Sequence, residues 1–164
     1  MPRTTKRAKR PTERLAPVPD EILDHFAPDR PMTAEEIDAA GRRLKKALLE
    51  RRLGGELSDH LGYPPGGTQP ADTTNHRNGT SEKRVLTDDG PMAVEIPRDR
   101  EGTFEPQLIP KHARRLAGFD EKVLALYARG LTVREIQKLV AEIYSIDVSP
   151  ALISEVTDAV VVEV

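Results

Sequence analysis

Asp88, Asp89, Asp99 and Glu101 are the carboxylates whose type and closeness in sequence suit metal-assisted phosphoryl chemistry, and His25, His60, His76 and His112 are the other candidate ligands. Such chemistry needs three acids brought together on a rigid scaffold. These four acids sit in turn-rich sequence with nothing to bury them, so they read as solvated loop residues and no catalytic residue is assigned. The histidines are scattered without a helical i,i+4 pair, so no metal ligand is assigned. Pro65-Gly66-Gly67 lacks the lysine and the helix start of a phosphate-cradling loop. What remains is cationic and hydroxyl chemistry. Lys111, His112, Arg114 and Arg115 form a basic cluster directly before a helical region rich in short polar residues. Ammonium and guanidinium groups clamp phosphates, while short polar side chains reach the edges of bases. The same basic cluster would equally serve i,i+4 pairing with nearby acids.

Those groups must be held by helices. From Phe119 to Ala159 the sequence predicts three short helices in a helix-turn-helix arrangement. Thr132 stands at an N-cap with Glu135 three residues on, which is capping-box spacing. Ile136, Leu139, Val140 and Ile143 then recur at i, i+3, i+4 and i+7, giving the second helix an apolar face. Gly130 suits the C′ position of the preceding helix, whose stripe is Val123, Leu126 and Tyr127. Ser149-Pro150 starts the third helix with a hydroxyl to cap and a proline at N1. Leu152, Ile153, Val156 and Val160 would bury that helix, leaving Ser149, Ala151, Ser154, Glu155, Thr157 and Asp158 facing out. Such a trio presents its third helix to a major groove. Ser149, Ala151, Ser154 and Thr157 are then the groove-facing candidates, with Arg129, Arg134, Lys138, Lys111, Arg114 and Arg115 turned toward phosphates. A three-helix packing unit with no ligand would show the same periodicity.

The composition bounds the alternatives. The 164 residues are 4 % aromatic and 32 % charged, so any core is aliphatic and modest. The absence of cysteine excludes disulfides and thiolate zinc sites. No apolar run approaches the roughly 20 residues that span a bilayer, and no apolar signal segment follows the basic start. No membrane partner is expected, and a cytoplasmic location is. A net charge of −2 argues against indiscriminate nucleic-acid binding. Its distribution says more: Arg3, Lys6, Arg7, Lys9, Arg10 and Arg14 crowd the N-terminus, where they could follow phosphates or simply solubilise a tail.

Taken in order, residues 1–31 form a basic, proline-rich arm expected to be mostly disordered, with a short helix signalled around Glu21 to Phe26. Residues 32–62 form an amphipathic helical segment that opens on the Thr33-Ala34-Glu35-Glu36 capping box and runs to about Leu53. Its stripe is Ile37, Leu44, Leu48 and Leu49; Arg42, Arg43, Lys45, Lys46, Arg51 and Arg52 load the rest, and Gly54-Gly55 would end it, with Glu56 to Leu61 able to form one further turn. This basic face would meet DNA or a partner helix, or be a solvated face over a buried seam. Residues 63–80 read as a linker. Residues 81–115 hold a hairpin and a basic connector: Lys83 to Leu86 and Met92 to Ile96 flank a turn at Thr87 to Pro91. Val94 and Ile96 share one face, Glu95 takes the other, and Pro97 ends the second strand. A two-stranded hairpin is marginal alone, so it must pack on helices or on something outside the chain. Residues 116–164 are the helix-turn-helix unit. The expected fold is therefore mainly α with one small β hairpin.

These residues resemble the N-terminal part of bacterial mutator-type insertion-sequence transposases. The resemblance runs in order through Asp59-His60-Leu61-Gly62-Tyr63, Arg77-Asn78-Gly79, Val94 to Arg100 and Phe104-Glu105-Pro106. It continues through Gly118-Phe119-Asp120, Leu126 to Gly130, Arg134-Glu135-Ile136, Ser149-Pro150, Ile153-Ser154 and Thr157-Asp158. It implies a region that binds double-stranded DNA at terminal inverted repeats, in a bacterial, nucleoid-associated protein. In that family a ribonuclease-H-like domain follows, whose three carboxylates hold two metal ions. The chain stops at Val164, before the first of those acids, so it is expected to be a truncated or frameshifted copy. On that expectation it takes no cofactor itself, and magnesium belongs to the missing domain. Glu155 stands where the resemblance leads one to expect a basic residue, and 116–164 carry eight acids against four Lys or Arg. Upstream cations would then supply much of any DNA affinity. Three rivals follow: a regulatory or inhibitory fragment acting on the full-length transposase, an oligomerisation module built on the helix from Thr33 to Leu53, and a pseudogene product that does not fold stably.

Overall fold

The computed structural model describes residues 16–144 and 146–161, without the side chains of 117 and 159–161. The described residues form five helices and one antiparallel hairpin: α1 (Asp20–Phe26), α2 (Ala34–Leu61), β1 (Arg77–Thr87), β2 (Gly90–Asp99), α3 (Ala117–Tyr127), α4 (Val133–Tyr144) and α5 (Pro150–Val161). The mainly helical class with one hairpin is as expected. The basic arm at 3–14 lies outside the described residues. The chain divides into two compact units between Ala40 and Gly41.

The first unit holds α1 and the opening of α2. Thr33 and Glu36 make the expected capping box: the Glu36 amide donates to Thr33 Oγ1 at 3.3 Å and the Thr33 amide to Glu36 Oε2 at 2.9 Å. Arg30 Nη1 donates to the same Glu36 carboxylate at 3.1 Å. The Arg30 guanidinium and, less strongly, the Thr33 amide hold the Glu36 carboxyl below the usual carboxylate range.

The second unit is organised on the hairpin. The register runs from Thr87↔Gly90 to Arg77↔Asp99, with an irregularity between Arg77 and Thr80. Val85, Met92, Val94 and Ile96 form its buried face and pack on Leu53 and Ile109. Three expectations fail here. Helix α2 does not stop at Gly54-Gly55 but continues to Leu61. Its buried seam is Leu53, Leu57 and Leu61 with half-buried Leu49, whereas Ile37 and Leu48 are each 58 % exposed and Leu44 is exposed too. Each glycine inside a helix costs about 1 kcal/mol relative to alanine, whereas burying one leucine gains about 1.5–3 kcal/mol. Three buried leucines outweigh two glycines: Leu53 packs on the sheet, while Leu57 and Leu61 pack on Phe104 and Tyr63 from the flanking loops. Pro97 does not end β2 either; it pairs with Thr80 beside the irregularity, where the lack of an amide hydrogen is tolerated.

Three cations of α2 are spent on the hairpin: Arg42 and Lys46 on β2, and Lys45 on its turn. Arg42 donates to the Pro91 carbonyl at 3.0 Å, Lys46 to the Ala93 carbonyl at 2.6 Å, and Glu50 Oε1 accepts the Glu95 amide at 2.9 Å. Side chains thus satisfy the outer edge of the second strand, a protection that a bare strand edge requires. Lys45 bridges both turn acids, meeting Asp88 and reaching Asp89 Oδ2 at 2.7 Å.

Asp99 was expected in a solvated turn and is instead 3 % exposed. Its Oδ2 accepts from Asn75 Nδ2 at 2.8 Å, from the Thr103 hydroxyl at 2.7 Å and from the Thr103 amide at 3.0 Å. His60 Nε2 lies 3.6 Å from it. Burial opposes this charge, but the Asn75, Thr103 and Phe104 hydrogen bonds overcome that cost and hold the carboxyl well below its usual range. Arg77 is likewise a fold residue: it donates to Ser58 Oγ at 2.9 Å and the Tyr63 carbonyl at 2.6 Å, and lies over the Tyr63 ring at 4.8 Å.

The three C-terminal helices enclose Phe119, Val123, Ile136, Val140, Val148, Ile153 and Val156. Leu126 and Leu139 are half-buried, but Tyr127 and Ile143, expected in the stripes, are 45 % and 59 % exposed. Both lie in the last turn of their helices, past the point where the neighbouring helices give cover. The hairpin fastens to this trio. The Leu86 amide donates to the Arg114 carbonyl and the Leu116 amide to the Leu86 carbonyl, both at 2.8 Å, and Tyr144 Oη donates to the Asp88 carbonyl at 2.8 Å. The outside support that a lone hairpin needs is therefore supplied by α2 on one side and the helical trio on the other.

Candidate nucleic-acid interface

The third helix begins as its sequence demands. Ser149 Oγ accepts the Leu152 amide at 3.2 Å, and Pro150 occupies the first helical position. The capping box of α4 is complete: the Glu135 amide donates to Thr132 Oγ1 at 3.3 Å, and Glu135 Oε2 accepts the Thr132 amide at 2.8 Å and hydroxyl at 2.7 Å. Gly130 takes φ +91° after α3, the left-handed C′ geometry that glycine adopts without strain. These three local devices set where α3 ends and where α4 and α5 begin.

Between α5 and the connector before α3 lies an open cleft of about 600 Å³, lined by His112, Arg114, Arg115, Ser149, Ala151 and Glu155 with Ala113, Asp120 and Leu152. The structure thus brings together four of the sequence candidates: Ser149, Ala151, Arg114 and Arg115. Ser149, Ala151 and Arg114 are exposed, and Ser154 is half-buried. Thr157 is a correction. Expected at the groove, it is 3 % exposed, and its hydroxyl donates to the Ser154 carbonyl at 3.0 Å. It stands four residues after Ile153, so helical geometry carries it to the buried side.

The remaining cations are dispersed. Arg134 and Lys138 are exposed one turn apart on α4 and do not line the cleft. Arg129 is exposed beyond α3, at an apolar groove with Leu126, Ile143 and Tyr144. Lys111 turns to the loop that follows β2, 3.5 Å from Glu105 Oε1 and 3.3 Å from the Gly102 carbonyl. His112, part of the basic cluster in sequence but not chosen as a DNA contact, joins the cleft.

Arg115 is committed within the fold. Its Nε lies 2.7 Å from Asp120 Oδ1, a charge contact rather than an aligned hydrogen bond, and Nη2 donates to Glu155 Oε1 at 3.0 Å. Burial opposes the guanidinium charge, but Glu155 and Asp120 more than offset it, so its pKa is raised. Asp120 is also raised: its burial outweighs the neighbouring arginine, and the Glu155 charge adds to the effect.

Among the described residues, no three His, Asp or Glu side chains converge as a metal site, and no helix is long and apolar enough to cross a membrane. Residues 19–164 match the model of the family described as "Transposase, Mutator family". A transposase for insertion sequence element ISRM3 from Rhizobium meliloti (strain 1021) is 50 % identical over 141 residues, covering 85 % of this chain and 34 % of the relative. A probable transposase for an ISRM3-like element from Sinorhizobium fredii is 48 % identical over 141 residues, with the same coverage of 85 % and 34 %. The transposase of IS905 from Lactococcus lactis is 36 % identical over 125 residues, 76 % of this chain and 32 % of the relative. The chain spans about a third of the length of these curated relatives.

Proposed function

Because this chain belongs to the Mutator family of transposases, we propose that its helical trio and basic connector form a duplex-DNA docking module that reads the terminal inverted repeats of an insertion sequence. The observation that carries this reading is the cleft in which the start of α5 meets His112 and Arg114. Exposed Ser149 and Ala151 stand at the helix end that faces a groove in helix-turn-helix docking. Arg114 and His112 flank that end, where phosphates bordering the groove would pass. The acidity of the trio itself (eight acids against four Lys or Arg in 116–164) leaves the connector to supply the attraction. The module's contribution to transposition is end recognition.

Fluorescence anisotropy with a duplex carrying the element's inverted repeat, against a scrambled duplex at roughly 150 mM salt, tests this. Tighter binding to the repeat is expected; equal affinity for both would remove sequence recognition from the account.

A second reading has its own observation. Leu44 and Leu48 are exposed on α2, at 37 % and 58 %, and would suit a helix of a second copy or of the full-length transposase. In this reading the chain acts as an oligomerisation or regulatory module, and light scattering without DNA separates the two.

A further inference from the structure

The cleft contains an arginine whose outward partner is a carboxylate on the very helix that would face DNA. Arg115 has two acidic neighbours of different kinds. Asp120 lies partly buried beside Nε, with its side chain 34 % exposed, while Glu155 meets Nη2 from the rim with its side chain 68 % exposed. The Asp120 contact is shielded, whereas the Glu155 contact faces solvent and is replaceable. Two carboxylates share one guanidinium, so the pair of acids is over-supplied with negative charge. A guanidinium fork binds a phosphate oxygen pair as readily as a carboxylate.

We propose that Glu155 is an internal stand-in for a backbone phosphate: it holds Arg115 in place in the free protein and yields it to a phosphodiester when a duplex enters the cleft. This rests on the DNA-docking reading above and adds to it a phosphate subsite with a built-in competitor. The exchange is like for like, one anion leaving Nη2 as another arrives, with Asp120 keeping the guanidinium oriented throughout. It assigns a role to an acid on a face where a carboxylate repels the DNA backbone phosphates. It also makes binding selective: a polyanion must be held firmly enough elsewhere, by Arg114 and by the groove contacts, to displace the tethered carboxylate.

The test compares Glu155→Gln with Asp158→Asn, using anisotropy of a labelled random-sequence duplex at roughly 150 mM salt. Both substitutions remove one exposed negative charge from α5, but only Glu155 meets Arg115. Exposed pairs of this kind hold their partners by an amount equivalent to about a fivefold change or less. Glu155→Gln should therefore tighten binding about two- to fivefold beyond any gain from Asp158→Asn, with an unchanged circular dichroism spectrum. Equal gains in the two variants overturn the exchange and leave a general charge effect. Weaker binding by Glu155→Gln also overturns it, and assigns the carboxylate to a base contact such as a cytosine amino group. If wild type and both variants bind no duplex even at low salt, the docking reading itself fails and the exchange goes with it.

Discussion

Replacing Asp99 by alanine removes the acceptor that ties the far end of the hairpin to the loops around it. Its Oδ2 takes the Asn75 amide at 2.8 Å, the Thr103 hydroxyl at 2.7 Å and the Thr103 amide at 3.0 Å. Hydrogen bonds to a charged group contribute about 1.5–3 kcal/mol each, but three bonds to one oxygen are far from additive. Two of the donors gain water on substitution, while the Asn75 side chain, 7 % exposed, stays enclosed. A loss of about 3–4 kcal/mol is the reasonable sum, a large share of the roughly 5–15 kcal/mol that a domain has in total. The pH dependence gives an independent check. The folded carboxyl lies below its unfolded value of about 3.9, so the unfolded state binds the proton more tightly. The stabilisation is therefore complete above about pH 4 and declines as pH falls toward the depressed folded value. Glu36, Asp88 and Glu135 are depressed as well and steepen the acid limb in both proteins, so only the difference between wild type and variant reports on Asp99. Urea unfolding followed by circular dichroism at about pH 7 and about pH 3 measures it. The gap should be about 3–4 kcal/mol at the higher pH and clearly smaller at the lower. A gap below about 0.5 kcal/mol at neutral pH, or one that does not shrink in acid, would refute the reasoning.

Phe119 is 1 % exposed at the centre of the helical trio, so Phe119→Ala should cost about 3–5 kcal/mol and lower the thermal midpoint seen by circular dichroism. Thr132→Ala removes the reciprocal cap of α4 and should cost about 1 kcal/mol in urea unfolding, with no change in the spectrum of the folded state. If Arg114 clamps a phosphate, Arg114→Gln should flatten the dependence of log affinity on log salt by about 0.9, and an unchanged slope removes it from the interface. Leu44→Glu with Leu48→Glu should leave a monomer's mass unchanged by light scattering, whereas a fall in mass would assign that exposed stripe to self-association.

The helices of the trio were legible because their determinants are local. A capping box at Thr132 and Glu135, a glycine after α3 and Ser149-Pro150 before α5 act within a few residues, and each forms the hydrogen bonds or backbone geometry its spacing implies. The period of the hairpin likewise placed Val94 and Ile96 on one face and Glu95 on the other. Periodicity also names Ile153 and Val156 as core, and extended by one further helical step it would have removed Thr157 from the groove.

Tertiary structure decided everything that depends on which neighbour arrives. The seam of α2 moved to Leu53, Leu57 and Leu61 because the sheet docks on the first and Phe104 with Tyr63 on the other two, and no local propensity carries that information. The cations of the same helix looked free for DNA, yet Arg42, Lys45 and Lys46 are spent on β2 and its turn, across more than forty residues of chain. Asp99 read as solvated because its partners, Asn75 and Thr103, lie in loops that only the folded chain brings to it. The same holds for Arg115 and Glu155: forty residues apart, they meet because the connector runs beside α5. Short-range hydrogen bonding and apolar spacing are written into consecutive residues, whereas the pairing of charges is settled only when separate elements come within a few ångströms of one another.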